Sequence, residues 1–207
     1  MSNKILDGAR SARSMLIAGA LLCALTGAVA LAQAPVAAKP SAHAKSVFTL
    51  TSPDIADGGN IAEAQVFNSF GCSGHNVSPA LSWSNAPAGT KSFALLVHDP
   101  DAPTGSGWWH WVVYNIPADA TSLAADAGDP KKSLMPAAAV QGRTDFGTPG
   151  YGGPCPPPGK PHHYHFRLYA LKVPKIDAPA DAAAAFISFN VHANSLGVAE
   201  LLGLYGR

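Results

Sequence analysis

Charge is scarce in this sequence, at 13% of 207 residues, where an average soluble domain carries roughly 25%. No basic stripe stands out, so the electrostatic footprint of a nucleic-acid binder is missing and that class of function is excluded. Cysteine is sparse as well. The three present, Cys23, Cys72 and Cys155, form no Cys-x-x-Cys unit, which removes the common zinc and thiol-redox motifs. No stretch repeats, no second domain boundary shows, and a helical apolar rhythm surfaces only near the C-terminus. What the chain has instead is 47% apolar residues, enough for a core, with 20 glycines and 18 prolines. That balance predicts short strands between firm turns.

The N-terminus is ordered like an export signal. Lys4, Arg10 and Arg13 precede an uncharged apolar run over residues 15–32, which closes on Ala30-Leu31-Ala32. This predicts a signal peptide over residues 1–32, cut after Ala32. A cut after Ala34 would place Pro35 beside the scissile bond, so the earlier site is preferred. Leu22 stands before Cys23 where a lipoprotein signal needs a small residue. An uncleaved membrane anchor is the competing reading, because the run approaches spanning length, but its cleavage-like end favours removal. Removal takes Lys4, Arg10 and Arg13 from the 14 Lys and Arg, and Asp7 from the 13 Asp and Glu, leaving 11 against 12 and a formal charge of −1. Residues 33–46, rich in Ala, Pro and Lys, then read as a flexible leader to a domain over residues 47–207. In an oxidising compartment the remaining pair, Cys72 and Cys155, is expected to be bridged, ahead of two buried thiols or a metal pair.

Strand signals occur over residues 47–50, 80–83, 92–98, 109–116 and 163–173, separated by Gly, Pro, Asn and Asp clusters. The stretch 93–97 is apolar on both faces and predicts a central strand covered on each side. Near the end, Asp181 precedes a helical pattern over residues 182–186. Ser195 is placed to cap a second helix with Leu196, Ala199 and Leu201 or Leu202 on one face. The architecture expected is a β-rich core with one or two terminal helices packed on it.

Two clusters could carry chemistry. In the first, Asp99-Pro100-Asp101-Ala102-Pro103 leads through Thr104-Gly105-Ser106-Gly107 into Trp108-Trp109-His110-Trp111. Two prolines fix φ and hold the Asp99 carboxylate on a stiff corner. Strand alternation puts Trp108, His110 and Val112 on one face and Trp109, Trp111 and Val113 on the other. Taken alone, this stretch fits a core histidine satisfied by a carbonyl, with the tryptophans as filler. The second cluster runs from Gly142-Arg143-Thr144-Asp145-Phe146-Gly147 through Gly152-Gly153-Pro154-Cys155-Pro156-Pro157 into a strand with His162, Tyr164 and Phe166 on one face and His163, His165 and Arg167 on the other. If the first face is functional, imidazoles, a phenol and loop N–H groups can converge on one anion, with Asp99 holding an imidazolium beside them. If the second face is functional, His163 and His165 offer two metal ligands, although no third sits at a fixed offset.

These two segments, in this order, resemble the signature segments of the phosphatidylethanolamine-binding protein family, most closely its bacterial branch of Raf-kinase-inhibitor-like proteins. The similarity extends from about Val47 to the C-terminus and includes Asn76-Val77-Ser78-Pro79. It implies a mainly β fold, a large antiparallel sheet packed against a smaller one with peripheral and C-terminal α-helices. It also implies a pocket at Asp99, Ala102, Pro103, Trp108, His110, Gly153, Pro156, His162 and Tyr164, taking phosphate, acetate or a phospholipid head group. The terminal segment is implied to border that pocket. His163 departs from the arginine usual in the family, which puts a supporting ion pair in doubt.

The function expected is an exported binding protein, periplasmic or secreted, for a small anion, with no cofactor, no metal and no catalytic residue. The alternative is a protease or signalling inhibitor acting through protein contact, and a second copy of the chain is a further candidate partner. A hydrolase built on Ser106 ranks last, because the glycines around it form no Gly-x-Ser-x-Gly elbow and serve equally well for a turn. Intact mass spectrometry of protein recovered from outside the cytoplasm should find a chain beginning at Gln33; a chain retaining residues 1–32 would show the anchor reading to be the right one.

Overall fold

The structure is a computed structural model and describes residues 46–207; the expected signal peptide over residues 1–32 and nearly all of the expected leader lie outside them. Nine strands, β1 (Thr49–Thr51), β2 (Gly59–Asn60), β3 (Leu81–Ser84), β4 (Ser92–Asp99), β5 (Trp108–Pro117), β6 (Ser122–Leu123), β7 (Val140–Gln141), β8 (His162–Leu171) and β9 (Ser195–Tyr205), accompany one α-helix, α1 (Ala184–Asn194), and a 3₁₀ turn at Glu63–Gln65. They form a small sheet ordered β1-β3-β6 and a large sheet ordered β2-β9-β8-β4-β5-β7. All pairs are antiparallel except β2 with β9, which run parallel. Among the described residues no helix is long and apolar enough to cross a membrane.

The period of two along the long strands separates two cores. Phe93, Leu95 and Val97 of β4, Trp111 and Val113 of β5, and Phe166 and Leu168 of β8 meet Leu50, Leu81, Trp83 and Leu123 of the small sheet. The alternate residues Ala94, Leu96, Val112, Tyr114, Tyr169 and Leu171 pack under Ala184, Ile187 and Val191 of α1. Strand β4 is therefore buried on both faces, as its unbroken apolar run predicts.

The C-terminal expectations need correction. Helix α1 starts at Ala184 and continues to Asn194, well past residue 186, and Ala183 rather than Asp181 takes the N-cap position without any side-chain bond. The second helix does not form. Ser195, expected to cap it, instead ends α1 in extended geometry (φ −70°, ψ 134°) and opens β9, which pairs with β8 along its length. The alternation is visible in hindsight, because Ala199, Leu201 and Gly203 are buried while Leu196, Val198 and Glu200 are exposed. Two glycines within seven residues also disfavour helix, and pairing with an established strand satisfies every backbone group at once.

A second departure lies in β5. Val97 pairs with Trp111 and His98 with Trp109, so His110 is an extra residue opposite no partner, a β-bulge. The bulge breaks the expected alternation. Trp111 enters the core between the sheets, whereas Trp109 and Val112 belong to the helix side. His110 is thereby turned to the inner face, beside Tyr164.

Cys72 and Cys155, 83 residues apart in sequence, are joined by a disulfide with a Cα–Cα distance of 6.0 Å. A crosslink closing so long a loop removes much of the unfolded chain's freedom. The double substitution of Cys72 and Cys155 by serine should lower unfolding stability by about 3–5 kcal/mol, read as a shifted denaturant midpoint with an unchanged far-ultraviolet spectrum.

Candidate functional site

The inner face of the large sheet ends in an open cavity of about 160 Å³ at the C-terminal end of β4. Because β4 and β8 are antiparallel neighbours, with His98 opposite His165, the last residue of β4 lies near the first of β8. Asp99 and His162 meet there, Oδ2 to Nδ1 at 2.7 Å. The other carboxylate oxygen, Oδ1, accepts the Asp101 N–H at 2.8 Å. Asp99 is only 3% exposed, and these two contacts replace the water it has lost.

The bulge supplies the third group. His110 is latched twice to one residue: its backbone carbonyl accepts the Gly152 N–H at 2.9 Å, and its Nδ1 lies 2.7 Å from the Gly152 carbonyl. A carbonyl only accepts, so the ring proton sits on Nδ1. Burial lowers the pKa of His110 from 6.5 to about 4, outweighing the opposing pull of the Gly152 carbonyl and of the Asp99 charge. Tyr164, from β8, contributes a hydroxyl that is buried and has no hydrogen-bond partner among the described residues. Burial first, and the Asp99 charge second, raise its pKa, so it stays a neutral phenol able to donate.

Of the nine residues expected at the pocket, Asp99, Ala102, Pro103, Trp108, His110, Pro156, His162 and Tyr164 line this one cavity. Gly153 does not. Its N–H donates to Asn76 Oδ1 at 2.7 Å, and it lies flat against the backbone of Gln65 to Phe67, where a Cβ would collide with the Gln65 carbonyl. It shapes the wall from behind and offers no N–H to an anion. Asn76 is the unexpected partner. Held at φ 56°, it bonds both Gly153 and the Tyr151 carbonyl.

The lining also includes Phe70, Thr104, Phe146, Cys155 and Pro157, none of which was anticipated there. Phe146 packs on Phe67 at 4.5 Å and edge-on to Trp108 at 5.4 Å, while Phe70 stands 63% exposed at the mouth. An aromatic rim of this kind has no periodic signature, because its members come from separate loops. Those loops are tied together behind the wall. The disulfide joins the Phe70 loop to the Pro156 loop, and Arg207 donates to Pro156 O at 2.6 Å and to Gly71 O at 3.1 Å. The terminal segment thus grips the wall from outside and does not line the pocket.

On the opposite sheet face His163 binds Asp101, through its N–H at 2.8 Å and its Nδ1 at 2.7 Å. The bond from the His163 side chain is the main reason the Asp101 carboxyl lies below its usual range. A supporting hydrogen-bonded contact is therefore present with histidine at this position. His165 shares Glu200 with Arg167. Among the described residues no group of three or more His, Cys, Asp or Glu is placed to hold a metal ion. Ser106 sits exposed in a turn, where its carbonyl meets His98 Nε2 at 3.0 Å. Gly107 closes that turn at φ 74°, so near the Asp99 carbonyl and the His98 ring that no side chain fits.

The profile of the family described as phosphatidylethanolamine-binding protein matches residues 51–206. The Escherichia coli protein YbcL is 50% identical over 161 residues, covering 77% of this chain and 88% of its own. Its crystal structure, described as a new member of the mammalian PEBP family, superposes with a TM-score of 0.76 over 77% of this chain and 98% of that one. YbhB from the same organism is 47% identical, covering 75% of this chain and 98% of its own. A Mycobacterium tuberculosis relative named as a lipoprotein, LppC, is 36% identical, covering 82% and 78%.

The ionisation of His110 has a consequence for stability. Between 6.5 and about 4 the unfolded chain takes up a proton that the folded chain refuses, so stability should fall as pH drops through that window. The loss is at most on the order of 3 kcal/mol. Denaturation midpoints between pH 4 and 7 should show this slope, and nitrogen-detected NMR should show His110 neutral with its proton on Nδ1 at pH 6.

Proposed function

The chain belongs to the phosphatidylethanolamine-binding protein family, and from that premise we propose that it is an exported protein whose cavity captures a small oxyanion: phosphate, a carboxylate or the phosphate of a phospholipid head group. The observation that carries the reading is the convergence of the Asp99–His162 pair, His110 and the partnerless Tyr164 hydroxyl on one opening. A buried phenol without a partner costs free energy that an incoming acceptor restores. A ligand anion at His162 Nε2 would be separated from Asp99 by the imidazole, which as an imidazolium donates to both.

The size of the site supports a head group over a whole lipid. At about 160 Å³ it is smaller than the roughly 300–1,000 Å³ of pockets that enclose drug-sized ligands. Acyl chains would have to remain outside, against the aromatic rim. Binding without chemistry is favoured because the Ser106 hydroxyl meets no histidine among the described hydrogen bonds; it is the carbonyl of that residue that His98 engages. Export is supported by the signal-like N-terminus, by the disulfide and by the name lipoprotein given to the mycobacterial relative.

His162→Ala should abolish phosphate binding measured by calorimetry, with the fold intact by circular dichroism. Tyr164→Phe, which removes one donor from a buried contact, should weaken binding by about tenfold. Undiminished affinity in His162→Ala would show that phosphate binds elsewhere.

A further inference from the structure

The polar groups on the cavity floor play unequal parts. Asp99 has both oxygens committed, to the Asp101 N–H and to His162. His162 and Tyr164 can both donate to a ligand, the first as an imidazolium through Nε2 and the second through its hydroxyl. His110 cannot join them on the same terms. Its Nδ1–H is spent on the Gly152 carbonyl, and Nε2 has no partner among the described hydrogen bonds although the ring lines the cavity. A neutral imidazole held in this way presents a lone pair.

The surroundings give it no reason to change. The charged and titratable groups that act on His110 are Asp99 and His98 of β4 and His162 and Tyr164 of β8, and the Asp99 charge is already shared with His162. Phe146 packs edge-on to the ring at 5.4 Å. Burial keeps His110 uncharged at any pH well above about 4. No lysine or arginine lines the cavity, so any positive charge an anion met there would come from a histidine that already faces Asp99. A doubly charged ligand would leave an uncompensated charge in a largely desolvated site.

Resting on the reading of this cavity as an oxyanion site, we propose that His110 makes it selective for a tetrahedral oxyanion that still carries a proton, the ligand's own O–H donating to His110 Nε2 while its other oxygens accept from His162 and Tyr164. The ligand class then narrows to inorganic phosphate or a protonated phosphate monoester, because a carboxylate or a lipid phosphodiester carries no proton near neutrality. Sulfate has the same shape but carries no proton near neutrality. It would place an oxygen against the lone pair of His110, acceptor against acceptor, and is rejected for that reason.

The test compares inorganic phosphate with sulfate by NMR-monitored titration of the mature protein at pH 6 and at pH 8. At pH 8 both anions are mainly dianions of the same shape and phosphate alone keeps an O–H, so the ratio of the two affinities there isolates the part played by His110. Phosphate should bind at least about tenfold more tightly than sulfate at pH 8, the fold-change expected when a buried hydrogen bond is replaced by an unsatisfied group. The ratio should be no smaller at pH 6, where phosphate also carries less charge. His110→Gln, which puts an N–H₂ donor where Nε2 stood, should lower the ratio at pH 8 to one or below. If that variant does not fold, the wild-type ratio decides alone. Equal affinities, or tighter sulfate, at pH 8 would overturn the selectivity while leaving the oxyanion site in place. Failure of both anions to bind or to move the His162 resonances would overturn the site and the selectivity together.

Discussion

A carboxylate as buried as Asp99 costs several kcal/mol unless hydrogen bonds and a counter-charge replace its water. The arrangement around the cavity follows from meeting that requirement. The turn after β4 brings the Asp101 N–H back to one oxygen, and the antiparallel pairing of β4 with β8 delivers His162 to the other. Removing either partner would leave a buried charge exposed to a low-dielectric surrounding. For that reason Pro100, Pro103 and Gly107 matter to the site although none of them carries chemistry: they hold the turn in the only shape that satisfies Asp99.

The second requirement is stiffness in walls made of loop. Eight of the thirteen lining residues belong to no strand, and four of these, Phe70, Phe146, Pro156 and Pro157, form the outer wall. Their positions are held from behind by the disulfide, by Arg207 bridging Pro156 and Gly71, and by Asn76 bonding Gly153 and Tyr151. Each tether spans a long stretch of sequence, so each restricts many residues of the unfolded chain for one contact in the folded one. A cavity framed this way stays open when empty, and a ligand loses little free energy in ordering it.

Much of the fold was legible. The unbroken apolar run of β4, the strand-forming residues of β5 and β8 and the Gly and Pro clusters between them marked the central strands to within a residue or two at most ends. Eight of the nine residues that the family resemblance implied line the cavity, which has thirteen lining residues in all. The mistakes share one physical origin. Residues 195–205 carry an apolar spacing that suits a helix or a strand, and β8 decided between them by offering a free edge. Gly153 looked like a ligand-facing glycine, yet the contact demanding its lack of a side chain is the Gln65 backbone.

His110 shows where the division falls. A histidine satisfied by a carbonyl and a histidine facing a pocket were competing readings of the same stretch, and the two are compatible: Nδ1 meets the Gly152 carbonyl while the ring lines the cavity. By itself the sequence determined the long central strands β4, β5 and β8, which residues are apolar inside them, that two cysteines remain after residues 1–32, and which side chains carry polar groups near the two clusters. These are properties of local period and residue chemistry. Only the tertiary structure decided that β5 bulges at His110, that Phe70 and Phe146 close the rim, and that the His110 ring meets the Gly152 carbonyl while His162 meets Asp99. Those outcomes depend on register between strands and on contacts across scores of residues, which no local pattern encodes.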